Sequence, residues 1–173
     1  MRYKYSLIPA LLIGFLLICS FKAAETFSRS GISFNIPNDW TITELEKLDE
    51  ESYYLSCEKS GSNASGLVTM TWMSSAMGTE ETVQHFANEL KKTFTEQDAD
   101  PRMSAVMKGI YQTYQCARVT YTLKLMGTPH RGTISCFQLC GKTITILEQE
   151  ADEDAAENAA GFKVIEQSFR CKN

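Results

Sequence analysis

Histidine is nearly missing from this 173-residue chain, which carries only His85 and His130. Neither stands beside the Ser, Cys or Asp companions that a nucleophilic triad uses, and both read as solvated side chains. No Cys-x-x-Cys occurs, which excludes a thioredoxin-type redox centre. Basic side chains form no stripe, and 17 of them stand against 21 acidic ones. Nucleic acid is therefore excluded as a partner. Internal repeats, low-complexity tracts and Pro/Gly linkers are also absent, so nothing divides the chain into several domains.

Apolar residues concentrate at the N-terminus. Arg2 and Lys4 precede a nearly unbroken apolar run from Leu7 to Phe21. That run is about fifteen residues, whereas a spanning helix needs roughly twenty. With Pro9 near its start and Lys22 just past its end, the segment 1–20 reads as a signal peptide. The chain is accordingly expected to be exported, to a periplasm, an outer envelope or the medium.

Cys19 follows Leu16-Leu17-Ile18 as the lipidated Cys of a bacterial lipoprotein follows its leader, although the position before that Cys is normally small and here is Ile18. Ordinary cleavage after Ser20 or near Ala23-Ala24 is the alternative. A lipid on Cys19 would anchor the protein to a membrane without spanning it. Removing Arg2 and Lys4 with the leader leaves a net charge of about −6, which disfavours charge-driven attachment to anionic lipid. Residues 25–173 suffice for one domain with a proper core.

Along that domain, Gly31–Ile36 alternates apolar and polar residues before Pro37-Asn38-Asp39-Trp40, a strand closed by a turn. Tyr53–Glu58 and Leu67–Met73 read as two more strands. A helix opens near Thr79, the expected cap, with Glu80 and Glu81 at the positive end of its dipole. Val83, Phe86, Leu90 and Phe94 mark its apolar face.

Beyond Ser104 the chain is strand-rich. A turn at Gly141-Lys142 pairs Phe137 with Ile146, and a turn at Gly127-Thr128-Pro129 pairs Val119 with Phe137. Together they predict one apolar face made of Ala117, Val119, Tyr121, Leu123, Phe137, Leu139, Ile144 and Ile146. A second helix starts near Asp152 and runs to about Gln167, weakened by Gly161 at a cost of about 1 kcal/mol. The order strand, hairpin, helix, meander, helix predicts an α+β fold, a central antiparallel sheet with helices packed on it.

Gly31-Ile32-Ser33-Phe34…Pro37…Trp40 resembles the opening strand of PsbP-like proteins. Phe162-Lys163-Val164-Ile165-Glu166-Gln167-Ser168-Phe169 is similar to their closing helix. The resemblance spans nearly the whole mature chain and implies an α/β/α sandwich. It also implies a protein that binds or assists other proteins, and it brings no catalytic set to carry over.

The remaining candidates have plain structural readings. Glu44, Glu46, Asp49, Glu50 and Glu51 read as a solvated loop or short helix. Thr145, Glu148 and Glu150 read as sheet surface. Asp152-Glu153-Asp154 lacks the spacing of a calcium loop. Asn63-Ala64-Ser65 is formally a glycosylation sequon. Cys136 and Cys140 lie about 13 Å apart along one strand, too far for a shared zinc with His130. No catalytic residue, metal or cofactor is predicted.

Exported cysteines default to disulfides, and the turn at Gly127–Pro129 sets Cys116 opposite Cys140 as the expected pair; a turn of different length would set Cys116 opposite Gly141, and Cys57 and Cys171 are alternative partners. The expected function is a non-catalytic, monomeric exported protein that binds a partner protein or a hydrophobic peptide segment. The alternatives are a thiol-dependent or hydrolytic enzyme built on an unpaired Cys, and a lipid-anchored structural component of the envelope.

Overall fold

A computed structural model describes residues 25–61, 64–74 and 77–172. The leader, Cys19 and Asn63 lie outside the described residues. In chain order the elements are β1 (Glu25–Arg29), β2 (Ile32–Ile36), β3 (Trp40–Lys47), β4 (Tyr53–Lys59), β5 (Leu67–Met73) and α1 (Thr79–Glu96). Then come β6 (Arg102–Met103), β7 (Met107–Tyr111), β8 (Tyr114–Leu125), β9 (Thr128–Leu139) and β10 (Lys142–Ala151). A 3-10 turn at Asp152–Asp154 leads into α2 (Ala155–Ser168), and β11 (Arg170–Cys171) follows.

Among the described residues these strands form two antiparallel sheets. The larger runs β3-β4-β5-β10-β9-β8, with β6 and β7 both pairing along the outer side of β8. The smaller is β1-β2-β11. The long alternating strands of the meander build the centre, where each strand buries one set of side chains on either face.

One face packs against α1, through Val83, Ala87 and Phe94 onto Ala117, Val119, Tyr121, Ile134 and Leu147. The other packs against α2 and the small sheet, through Ile165, Phe169, Phe27 and Phe34 onto Trp72, Phe137, Ile144 and Ile146. The predicted α+β architecture, helices on both faces of an antiparallel sheet, is the one observed.

The registers of the meander correct the expectation. Both of its turns have two residues in left-handed conformation, Met126-Gly127 and Cys140-Gly141, as type I′ hairpins require. β9 and β10 therefore pair Phe137 with Ile144, not Ile146. That slip of two residues leaves each side chain on its predicted face. β8 and β9 pair Ala117 with Cys136 and Val119 with Ile134, a slip of odd length that turns β8 over relative to β9. The predicted single apolar face is thus two faces: Ala117, Val119, Tyr121 and Leu123 meet α1, while Phe137, Leu139, Ile144 and Ile146 meet α2 and the small sheet.

The acidic stretch is divided: Asp49, Glu50 and Glu51 lie in an exposed turn, as expected, but the residues before them are strand and not loop or helix. Glu44 and Glu46 belong to β3, and Asp49 closes the following turn by accepting the Glu51 and Ser52 N–H groups and the Ser52 hydroxyl. Those hydrogen bonds, the Ser52 hydroxyl foremost, hold its carboxyl below the usual range. The cap of α1 is Gly78 and not Thr79, which is the first helical residue.

The two segments that suggested the family resemblance pack on each other. Trp40 meets Phe162 edge to face at 5.2 Å between ring centroids, and the Asn35 N–H donates to Ser168 Oγ at 2.8 Å.

Candidate functional site

The two long edges of the large sheet differ in kind. β3 carries a bulge between Ile42 and Glu44 and exposes Glu44, Glu46 and Lys47. Bulges and charges of this sort protect an edge from pairing with another chain. β7 has neither. It pairs only with β8 among the described residues, and it leaves Ile110 62% and Met107 44% exposed.

Ile110 and Lys108 lie opposite Gln115 and Ala117, which places them on the α1 side of the sheet. There they join Thr79 and Glu80 at the start of α1 to line a cleft of about 630 Å³. Its lining mixes apolar Ile110 and Ala117 with polar Gln115 and Thr79, and it carries one charge of each sign, Lys108 and Glu80. An open strand edge beside a cleft is the arrangement that accepts an extended segment, backbone to the edge and side chain into the cleft.

On the α2 side the same hairpin is held firmly. Tyr111 is 1% exposed, stacked on Phe137 at 5.5 Å and set edge-on to Phe169 at 6.1 Å. In the turn, the Gln112 N–H donates to the Glu166 carboxylate at 2.8 Å, and Gln112 Nε2 donates to the Gln167 carbonyl at 2.8 Å. Arg118 Nη2 donates to the Ile110 carbonyl at 2.8 Å, filling one acceptor on β7. The edge is thereby rigid, which lowers the entropy cost of binding to it.

Glu148 lies beneath this clamp, in a polar pocket of about 430 Å³ that it shares with Gln112, Phe162, Lys163 and Glu166. The sequence reading placed Glu148 on sheet surface. The structure half-buries it, because it follows Ile144 and Ile146 in the same alternation toward α2, and it buries Thr145, read in the same way, on the α1 face. Burial, helped by repulsion from Glu166 and opposed by Arg118, pushes its carboxyl up to about 7. The Tyr111 hydroxyl is buried without a hydrogen-bond partner, and burial, with Glu148 and Glu166 near it, drives its ionisation well above the usual range.

Other singled-out residues lie elsewhere. His85 is exposed on α1, and His130 on β9 has Nδ1 3.0 Å from the Thr128 carbonyl oxygen. Among the described residues no cluster of His, Cys, Asp or Glu could hold a metal ion. Cys116 and Cys140 are not opposed. Cys116 pairs with Gly109 on β7, and Cys140 sits in the β9–β10 turn, so the predicted Cys116–Cys140 geometry does not occur. Burial pushes the Cys57 and Cys171 thiols up to about 12 and raises Cys136 as well, which leaves those three poor thiolate nucleophiles.

No protein-family model matches the chain, and no curated protein matches it in sequence. Solved structures do match in fold. The cyanobacterial PsbP (CyanoP) of Synechocystis aligns at 11% identity over 86% of this chain and 92% of its own, with a TM-score of 0.62. A protein of Bacteroides thetaiotaomicron aligns at 14% identity over 87% of this chain and 49% of its own, with a TM-score of 0.56. LpqN, involved in cell envelope biogenesis of Mycobacterium tuberculosis, aligns at 8% identity over 89% of this chain and 88% of its own, with a TM-score of 0.55. The chain has the PsbP-like fold, as the resemblance of its two end segments implied.

Proposed function

We propose that this is an exported, non-catalytic protein that binds an extended segment of another polypeptide along β7, with one apolar side chain of that segment in the cleft beside α1. The observation that carries the reading is the contrast between the edges: β3 is bulged and sets its one exposed apolar chain, Leu45, among charges, whereas β7 is unbulged and offers both Ile110 and Met107 to solvent. Export rests on the leader at 1–20. The involvement of LpqN, one of the proteins that share this fold, in cell envelope biogenesis is in keeping with it.

The test compares capture of envelope proteins by the wild type, Ile110→Lys, and Leu45→Lys on the β3 edge. Polypeptides bound by the wild type and Leu45→Lys but lost by Ile110→Lys, at matched melting temperatures, support the reading. Equal capture by Ile110→Lys removes it.

A further inference from the structure

The last strand carries a cysteine to the end of the central meander. Cys171 on β11 reaches the β9–β10 turn, where its Sγ lies 3.8 Å from the carbonyl oxygen of Leu139, the residue directly before Cys140. Both thiols are partly accessible. Cys140 occupies the first turn position with φ 51°, where Asn or Gly serves the backbone better. Turn geometry therefore gives no reason for a Cys there.

The other three described thiols are buried. Cys57 and Cys116 belong to the core under α2 and Cys136 to the core under α1. Cys116 and Cys136, although neighbours, thus face opposite sides of the sheet.

We infer that Cys140 and Cys171 form a disulfide once the chain meets an oxidising thiol–disulfide exchange partner. The Cys140 thiolate attacks the partner's disulfide, giving a mixed disulfide and releasing the partner's first thiol. The second thiol loses its proton and attacks the mixed disulfide at the protein's own sulfur. The intramolecular S–S bond forms and the partner's second thiol leaves. The pair gives up two protons and two electrons, and the partner's disulfide becomes two thiols. The bond would tie β11, and with it the small sheet, to the turn of the large one, enclosing β10 and α2 in the covalent ring.

The test uses the purified full chain equilibrated with either oxidised or reduced glutathione, followed by alkylation, non-reducing peptide mapping and melting. The expected result with oxidised glutathione is one linked peptide pair containing Cys140 and Cys171. The oxidised chain should melt roughly 10 °C above the reduced one, and Cys171→Ser should melt like the reduced wild type in both buffers. Separate alkylation or separate glutathione adducts of Cys140 and Cys171, or a link from either to another cysteine, would overturn the inference. The mapping is read on the wild type, so a poorly folded variant leaves the decision intact.

Discussion

The indole of Trp40 lies directly against the backbone of Gly161, where an added β-carbon would stand 2.4 Å from Nε1. The glycine that weakens α2 in isolation is what lets the helix reach the sheet. Gly161→Ala should gain about 1 kcal/mol of helix propensity and lose more through overpacking against a rigid ring. A net destabilisation of about 1–3 kcal/mol in denaturant unfolding is expected. A more stable variant would mean that Trp40 can move aside at little cost.

The two faces of the meander should respond separately. Phe137→Ala, on the α2 side, should cost about 3–5 kcal/mol, and Val119→Ala, on the α1 side, about 2 kcal/mol. The double variant should come within about 0.5 kcal/mol of their sum, because the two residues share no packing partner. Thr122→Ala, exposed on β8, should change stability by less than about 0.5 kcal/mol. Strong coupling between Phe137 and Val119 would contradict two distinct cores.

Glu148 should make stability fall as the solution becomes less acidic. Its carboxyl titrates at about 7 when folded against 4.5 when free, so the native state holds the proton more tightly. The resulting stabilisation is complete below about pH 4.5 and is lost as pH rises through 7. Its upper bound is about 3 kcal/mol. Glu148→Gln should be more stable than the wild type at pH 8, with the difference shrinking toward pH 5. A wild type and variant that stay parallel from pH 5 to 8 would show that Glu148 ionises normally.

The leader is read by partitioning. Lipidation at Cys19 sends the wild type into the detergent phase and Cys19→Ala into the aqueous one. Ordinary cleavage sends both into the aqueous phase. Detergent partitioning that survives Cys19→Ala would mean the apolar run itself stays in the membrane.

How much of this was legible follows from what each segment must satisfy. α1 could be read because Val83, Phe86, Leu90 and Phe94 bury one stripe and leave the rest wet. β3 could not, because an edge strand bearing Glu44, Glu46 and Lys47 looks like a charged loop. The β8–β9 register failed at Met126, which holds a left-handed turn position without the Asn or Gly that signals one. Nor could alternation correct the error: β8 is apolar in one phase, but β9 buries Ile134 and Cys136 on one face and Phe137 on the other, so either register sets apolar against apolar. Of the candidate site, Ile110 and the cleft depend on which strand ends the sheet, and that ordering is set by long-range pairing. For the same reason Cys171 could be named as an alternative partner but not chosen for Cys140.

The small sheet also sets a schedule. Its centre, β2, needs β1 just before it and β11 from the far end of the described chain, with Cys171 opposite Ile32. Phe34 stays without its cover until Ile165 and Phe169 have arrived. A nascent chain can form hairpins early, but this layer cannot close until residue 171 has been synthesised. Until then the polypeptide remains threadable, the state that the proposed export requires.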